Sequence, residues 1–288
     1  MVSIIVLIQD KLDRIQSCLE SLLEKTDYQN YEILLIDHSY IEPPVQTFLT
    51  KLSNSDSRIR ILSYTQKCND AAIRNFAARQ AQGEFLLLLN DNTIVLQENW
   101  LARLTAIGVC TDAGAVGCRV VSFDQRLKHA GLILGIDGTV GPINLDLPLA
   151  ESGYMGRAQL TQNFSAISSV CMLVRKALFL EVGGFDEKNF SNFYCDADFC
   201  LKLSEHDYRI VWTPFVTLAC QDKSDTNTND VQQEPDDSLS RKAFIKKWRS
   251  RLGNDPAYNR HLSLRQHDWM IDGDFDVPWH PDFEPLPR

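Results

Sequence analysis

Residues 2–37 read VSIIVLIQDKLDRIQSCLESLLEKTDYQNYEILLID, and two hydrophobic periods alternate within them. Val2–Ile8 and Tyr31–Asp37 are apolar runs of strand length, the second rich in Ile and Leu. Between them Leu12, Ile15, Cys18, Leu19, Leu22 and Leu23 recur at the spacing of one helix face. A strand that is apolar at nearly every position must be covered on both sides, as in a parallel sheet with helices on both faces. The alternation then repeats. Helix is expected over Pro43–Ser53, strand over Ile59–Ser63, and an Ala-rich helix over Ala71–Gln82 with Gly83 as its stop. Phe85–Leu89 is a further apolar strand and Trp100–Ile107 a further helix. This order predicts an α/β fold with a mostly parallel central sheet flanked by helices. Such sheets bind ligands beyond the carboxyl ends of their strands, where Asp37 and Asp91 stand.

From Ala115 to about Thr217 the pattern is mixed. Short strands are expected at Ala115–Val121, Ala130–Leu134, Cys171–Arg175 and Arg209–Thr213, with a helix near Ala197–Glu205. This reads as an α+β extension of the same domain. Residues 222–237 hold six acids, one lysine and no large aromatic side chain, and read as a mobile loop. Arg241–Leu252 holds six basic residues, with Phe244, Trp248 and Leu252 at i, i+4 and i+8, which predicts an amphipathic helix with one apolar seam. Asp272–Arg288 contains four prolines and reads as an extended tail.

Composition bounds the function. Over 288 residues, 44% are hydrophobic and 23% charged, which excludes a disordered chain, a fibre and a small disulfide scaffold. With 29 basic and 38 acidic residues the net charge is −9, and no nucleic-acid partner is expected. No run approaches the roughly 18 apolar residues that span a bilayer. Val2–Ile8, directly after Met1, has neither a basic leader nor a small-residue cleavage site, so it reads as a strand and not a signal peptide. The eight cysteines (18, 68, 110, 118, 171, 195, 200, 220) include no CxxC pair, which favours reduced core thiols in a cytoplasmic protein over a zinc site.

Three stretches can carry chemistry. Asp37 suits either of two roles, accepting hydrogen bonds from a ribose or base edge, or capping a turn. LLLLNDN at 86–92 puts Asp91 just past a strand. Acids there can hold a divalent ion against a diphosphate, because hard cations take oxygen ligands, or simply make a polar turn. VGGFDE at 182–187 opens on a Gly-Gly turn, and YCDADFCL at 194–201 puts Asp196 at or near a helix start. Asp186, Asp196 and Asp198 are candidate general bases for an attacking hydroxyl. Acids in a first helical turn also suit the macrodipole, a role that fits Asp198 better than Asp196. The planar guanidinium of Arg74 suits phosphate oxygens, whereas Arg79 falls on the solvated face of the same helix. His129, within KHAG, fits the acceptor side or a structural role.

Read together, VSIIVLIQDKLDRIQSCLESLLEKTDYQNYEILLIDHSY (2–40), CNDAAIRNFAARQAQGEFLLLLNDN (68–92), VGGFDE (182–187) and DADFCLKLSEHDYRIVWTP (196–214) resemble bacterial family 2 glycosyltransferases of the GT-A (nucleotide-diphospho-sugar transferase) fold. The subgroup is the one related to rhamnosyltransferases and O-antigen enzymes. KHAGLILG (128–135), GYMGR (153–157) and KKWRSRLGNDPAYNRHLSL (246–264) extend the resemblance from Val2 to about Leu264. It implies a GT-A domain over 1–221, with a nucleotide-binding part at 1–110 and an acceptor-side part at 111–221. An acidic mobile loop at 222–240 and a basic helix with Pro-rich tail at 241–288 follow.

The resemblance implies transfer from a UDP- or dTDP-sugar to a hydroxyl of a glycan or lipid-linked acceptor, with inversion, in cell-surface polysaccharide synthesis. The setting it implies is cytoplasmic or peripheral at the inner face of the membrane, with further domains of a longer chain as possible partners. It places Asp37, Asn69, Arg74 and Asp91 on the nucleotide, Asp91 and Asn92 on the metal, Asp196 as the base, and His129 and Asp198 on the acceptor side. Two positions depart from the family. Asn92 stands where an aspartate ligates the metal, and Cys220 or Gln221 stands where a histidine serves the metal or the diphosphate. A neutral amide and a soft thiol suit Mn or Mg poorly, so the divalent cation is expected to be weakly bound and nucleotide-dependent. The alternative is a degenerate GT-A domain that binds without turnover. A nucleotidyltransferase is disfavoured, since no glycine-rich phosphate loop lies near the N-terminus.

Overall fold

The computed structural model describes residues 1–8, 11–38, 42–64, 69–190, 194–221, 235–265 and 269. The first elements alternate as the periodicity predicts: β1 (Val2–Leu7), α1 (Leu12–Lys25), β2 (Tyr31–His38), α2 (Pro43–Ser55), β3 (Ile59–Tyr64) and α3 (Asp70–Gln80). Next come β4 (Phe85–Asn90), β5 (Thr93–Val95), α4 (Trp100–Gly108), β6 (Ala113–Val121), β7 (Leu127–His129), β8 (Leu132–Leu134) and β9 (Val140–Pro142). The remainder is β10 (Gln162–Phe164), β11 (Cys171–Arg175), α5 (Lys176–Glu181), α6 (Cys195–Glu205), β12 (Arg209–Cys220) and α7 (Pro235–Trp248).

One sheet runs in the order β10-β12-β6-β11-β4-β1-β2-β3, with β5 added on β12 and β7 on β6. β3, β2, β1 and β4 are parallel, as in an α/β unit. β11 runs antiparallel to both β4 and β6, and this is where the α+β extension joins. Successive side chains of a strand point to opposite faces, so β4 divides itself between two cores. Leu86 and Leu88 pack with α3, α5, α6 and α7, while Leu87 and Leu89 pack with α1, α2 and α4. This two-sided burial is why the strands read as unbroken apolar runs. At about 1.5–3 kcal/mol for each large side chain fully buried, the two layers supply the main drive to fold.

Several expectations are corrected. Gly83 is not the stop of α3, which ends at Gln80 with Ala81 already extended. Glycine is required there by close approach, because a Cβ would lie 2.6 Å from the Ser3 amide nitrogen and 2.9 Å from the Phe85 carbonyl oxygen. The expected strand Ala130–Leu134 is broken at Gly131, whose φ of +98° turns the chain from β7, on β6, to β8, on β9. The strand at Arg209 runs on to Cys220 through a register shift between Thr213 and Thr217, where Pro214 has no N–H to give.

The acidic segment placed at 222–240 is not all loop, because α7 begins at Pro235. Proline and acids in a first helical turn favour that start. Residues 222–234 and the tail 272–288 lie outside the described residues. The helix expected to reach Leu252 ends at Trp248, but the seam is as read: Phe244, Trp248 and Leu252 are all buried. Six cysteines are buried thiols and Cys110 is exposed, while Cys68 lies outside the described residues. Among the described residues no helix is long and apolar enough to cross a membrane.

Candidate active site

The carboxyl ends of β2 and β4 flank that of β1, and both carry acids. β2 and β4 are two strand spacings apart, about 10 Å. Asp37, half-buried near the end of β2, accepts a 3.4 Å hydrogen bond from Gln46 Nε2 on α2. Asp91 follows β4 and is only 4% exposed.

Arg74 projects from α3 into this region and is buried. Its Nη2 donates to Asn90 Oδ1 at 2.9 Å, and its Nη1 donates to the Ser169 hydroxyl. Among the described residues no carboxylate forms an ion pair with this guanidinium. A buried cation without a counter-charge is costly, which suits a site built for an anion.

Asp196 is the second residue of α6. Its Oδ2 accepts from the Ser169 amide at 3.2 Å and its Oδ1 from its neighbour Ala197 at 2.9 Å, so the carboxylate is aimed by backbone donors. His129, at the end of β7, lies within electrostatic range of Asp196. Burial pushes the His129 pKa below its usual value against the opposing pull of Asp196, and its Nδ1 has no hydrogen-bond partner among the described residues. A neutral imidazole with an open nitrogen can accept from or donate to a hydroxyl according to its tautomer.

Other expected residues are committed elsewhere. Asn69 caps α3, its Oδ1 accepting from Ala72 and its Nδ2 donating to the Glu187 carbonyl, both at 2.9 Å. Asp198 cannot reach an acceptor, because its carboxylate is 0% exposed and faces α7. It accepts from Lys247 Nζ at 2.6 Å and from Trp248 Nε1 at 2.9 Å. Asp186 is taken up by a turn with Lys188 and Asn189. Ser169 was not singled out in the sequence. Ninety-five residues separate it from Arg74, and no local pattern marks such a pairing.

At the expected metal position, Asn92 turns its Nδ2 to Cys220 Sγ at 3.1 Å and to the Gln221 carbonyl at 3.3 Å. Its Oδ1 is buried without a hydrogen-bond partner among the described residues. No three His, Cys, Asp or Glu side chains converge as a metal site among those residues. One carboxylate, one neutral amide oxygen and a thiol do not fit a hard cation held by the protein alone.

A parallel half with acids at the ends of β2 and β4, on either side of β1, is joined to an antiparallel half that carries a third acid at a helix start, within a GT-A fold. Residues 3–183 match the family model described as Glycosyl transferase family 2, and the chain belongs to that family. It is a glycosyltransferase domain. It is 34% identical over 268 residues to the O-antigen biosynthesis protein RfbC of Myxococcus xanthus, covering 93% of this chain and 20% of RfbC. The chain spans less than a third of the length of the curated relatives it matches. Among solved structures, the mannosyltransferase PcManGT of Pyrobaculum calidifontis, in complex with GDP-Man and Mn2+, superposes with a TM-score of 0.56 at 18% identity, over 76% of this chain and 56% of that one. GalNAc-T7 with UDP, GalNAc and Mn2+ superposes with a TM-score of 0.67 at 13% identity, over 86% of this chain and 48% of that one. At such identities the likeness is one of fold.

Proposed function

We propose that the domain transfers a hexosyl group from a UDP- or dTDP-sugar to a hydroxyl of a glycan or lipid-linked acceptor in cell-surface polysaccharide synthesis, inverting the anomeric carbon. The observation that carries this reading is the convergence of the β4 end, the buried Arg74 cation, without an ion-pair partner among the described residues, and the Asp196 carboxylate in one hydrogen-bonded group. Asp37 receives the nucleoside, and the diphosphate reaches the roughly 10 Å across β1 to Arg74 and Asp91. Asp196 takes the proton of the acceptor hydroxyl as its oxygen attacks the anomeric carbon. The bond from that carbon to the diphosphate breaks, and its electron pair leaves with the nucleoside diphosphate, whose charge Arg74 stabilises. His129 lies on the acceptor side of Asp196. Exposed Lys242, Lys246 and Arg249 would favour an anionic lipid surface at the cytoplasmic face of a membrane.

Calorimetry with UDP tests the nucleotide end. Asp37→Ala is expected to weaken UDP at least about tenfold, the value of one or two hydrogen bonds to a charged group, with thermal unfolding unchanged. An Ala variant that binds as the parent does would remove Asp37 from the site. A second reading, a domain that binds without turnover, is favoured by the Asn92–Cys220 contact. A parent that fails to bind millimolar nucleotide supports it.

The cation follows the same logic. The parent is expected to bind no manganese without nucleotide. Asn92→Asp adds a charged oxygen ligand and should tighten manganese about tenfold in the presence of UDP, read by calorimetry. Tight manganese binding by the nucleotide-free parent would end the weakened-site argument.

A further inference from the structure

Arg74 and Asp196 stand on different helices, α3 and α6, and their side chains are joined through one residue of the segment before β11. The Arg74 guanidinium donates to the Ser169 hydroxyl, and the Ser169 amide donates to Asp196 Oδ2 at 3.2 Å. Ser169 is buried, so neither bond is shared with bulk water. The same segment is tied to the β4 end, since the Asn90 amide donates to the Val170 carbonyl at 3.0 Å and Asn90 Oδ1 accepts from Arg74 at 2.9 Å.

We infer that Ser169 is a positioning residue that couples occupation of the diphosphate site to the aim of the Asp196 carboxylate, an inference that rests on the reading of Arg74 and Asp196 given above. Arg74 has five N–H donors in a rigid fork, and its contacts with Ser169 and Asn90 use one donor on each of its two terminal nitrogens. A diphosphate drawn to the fork pulls on the guanidinium, and the hydroxyl of Ser169 follows because it is held to Nη1. The backbone of Ser169 moves with its side chain, and the amide carries the movement to Oδ2. A carboxylate displaced by about 1 Å from an attacking hydroxyl loses much of its effect, so a linkage of this kind brings the base into line only when donor is present. Without the hydroxyl, Asp196 keeps both backbone donors, and Arg74 keeps Asn90 and stays available to UDP. The loss is then confined to communication between the two ends.

The test uses the full 15N-labelled chain with UDP as probe, following the amide resonances of Ser169 and Ala197, which donate to the two oxygens of Asp196. In the parent, UDP shifts both. In Ser169→Ala, held at saturating UDP, the shift at Ala197 falls to the level of amides on α1, across the sheet. Ser169→Thr, which restores a hydroxyl, restores the response, and a purely structural role would not give that rescue. An Ala197 shift that is absent in the parent, or equal in Ser169→Ala, overturns the coupling and leaves the nucleotide reading standing. A parent that does not bind UDP overturns the nucleotide reading itself, and the coupling with it.

Discussion

Asp196→Asn lowers the rate of sugar transfer by about 10²–10⁴-fold, the contribution of a positioned proton acceptor. The amide is nearly the same shape but cannot take the hydroxyl proton. It also cannot satisfy both backbone donors, because the carboxylate accepts from Ser169 and from Ala197 and an amide must turn its NH₂ toward one of them. That mismatch costs about 1–2 kcal/mol of stability, too little to unfold a domain of this size. The measurement is the initial rate of nucleoside-diphosphate release with acceptor present, alongside thermal unfolding. Full activity in the variant would exclude Asp196 as the base. Asp198 and Asp186 could not then replace it, since Asp198 is sealed in the core with its Oδ1 held by α7 and both oxygens of Asp186 are engaged by a local turn.

Asp198→Ala has its large effect on stability. The carboxylate is fully buried, with Lys247 Nζ at 2.6 Å, Trp248 Nε1 at 2.9 Å and Lys202 Nζ at 3.8 Å. Removing one side of a buried ion pair leaves the other desolvated without compensation, about 3–5 kcal/mol when burial is complete. Lys247 reaches partial solvent, which places the expected loss near 3 kcal/mol, or a fall in Tm of about 10 °C. Added salt should change the difference little, because buried pairs are poorly screened. A fall in Tm of only a degree or two would show that α7 is held by its apolar seam alone.

Much of the fold was legible because each central strand is covered on both sides. Phe85–Leu89 and Tyr31–Asp37 carry their own boundaries, as an apolar run that stops at the first polar residue facing the site. Where structure is set by long-range pairing the text of the chain is silent. Gly131 looks like any glycine in an apolar stretch, yet its positive φ ends one strand and starts another. Residues 235–240 are polar enough to read as loop, and their helical state depends on the buried side chains four and more positions later.

The candidate site divides the same way. Asp37, Asp91 and Asp196 announce themselves by position after a strand or at a helix start. Ser169 does not, since its role exists only once α3 and α6 lie against the same strand ends. Asp198, two residues from Asp196, shares its sequence context but not its surroundings. A helix places residues i and i+2 on different faces, and here one faces the site and the other the core.

The division of β4 between two cores has a consequence for how the chain is made. Among the described residues, the layer beneath α1 and α4 contains none later than Cys220. The layer beneath α6 includes Phe244, Trp248, Leu252, Tyr258, Leu262 and Trp269. Synthesis proceeds from the N-terminus, so the first layer can close on the ribosome while the second still lies open. The helix that bears Asp196 sits on the layer that closes late. A nascent chain therefore presents a sticky, half-roofed sheet until the residues from Phe244 to Trp269 emerge, and this interval is when chaperones would be needed and premature termination would be most damaging.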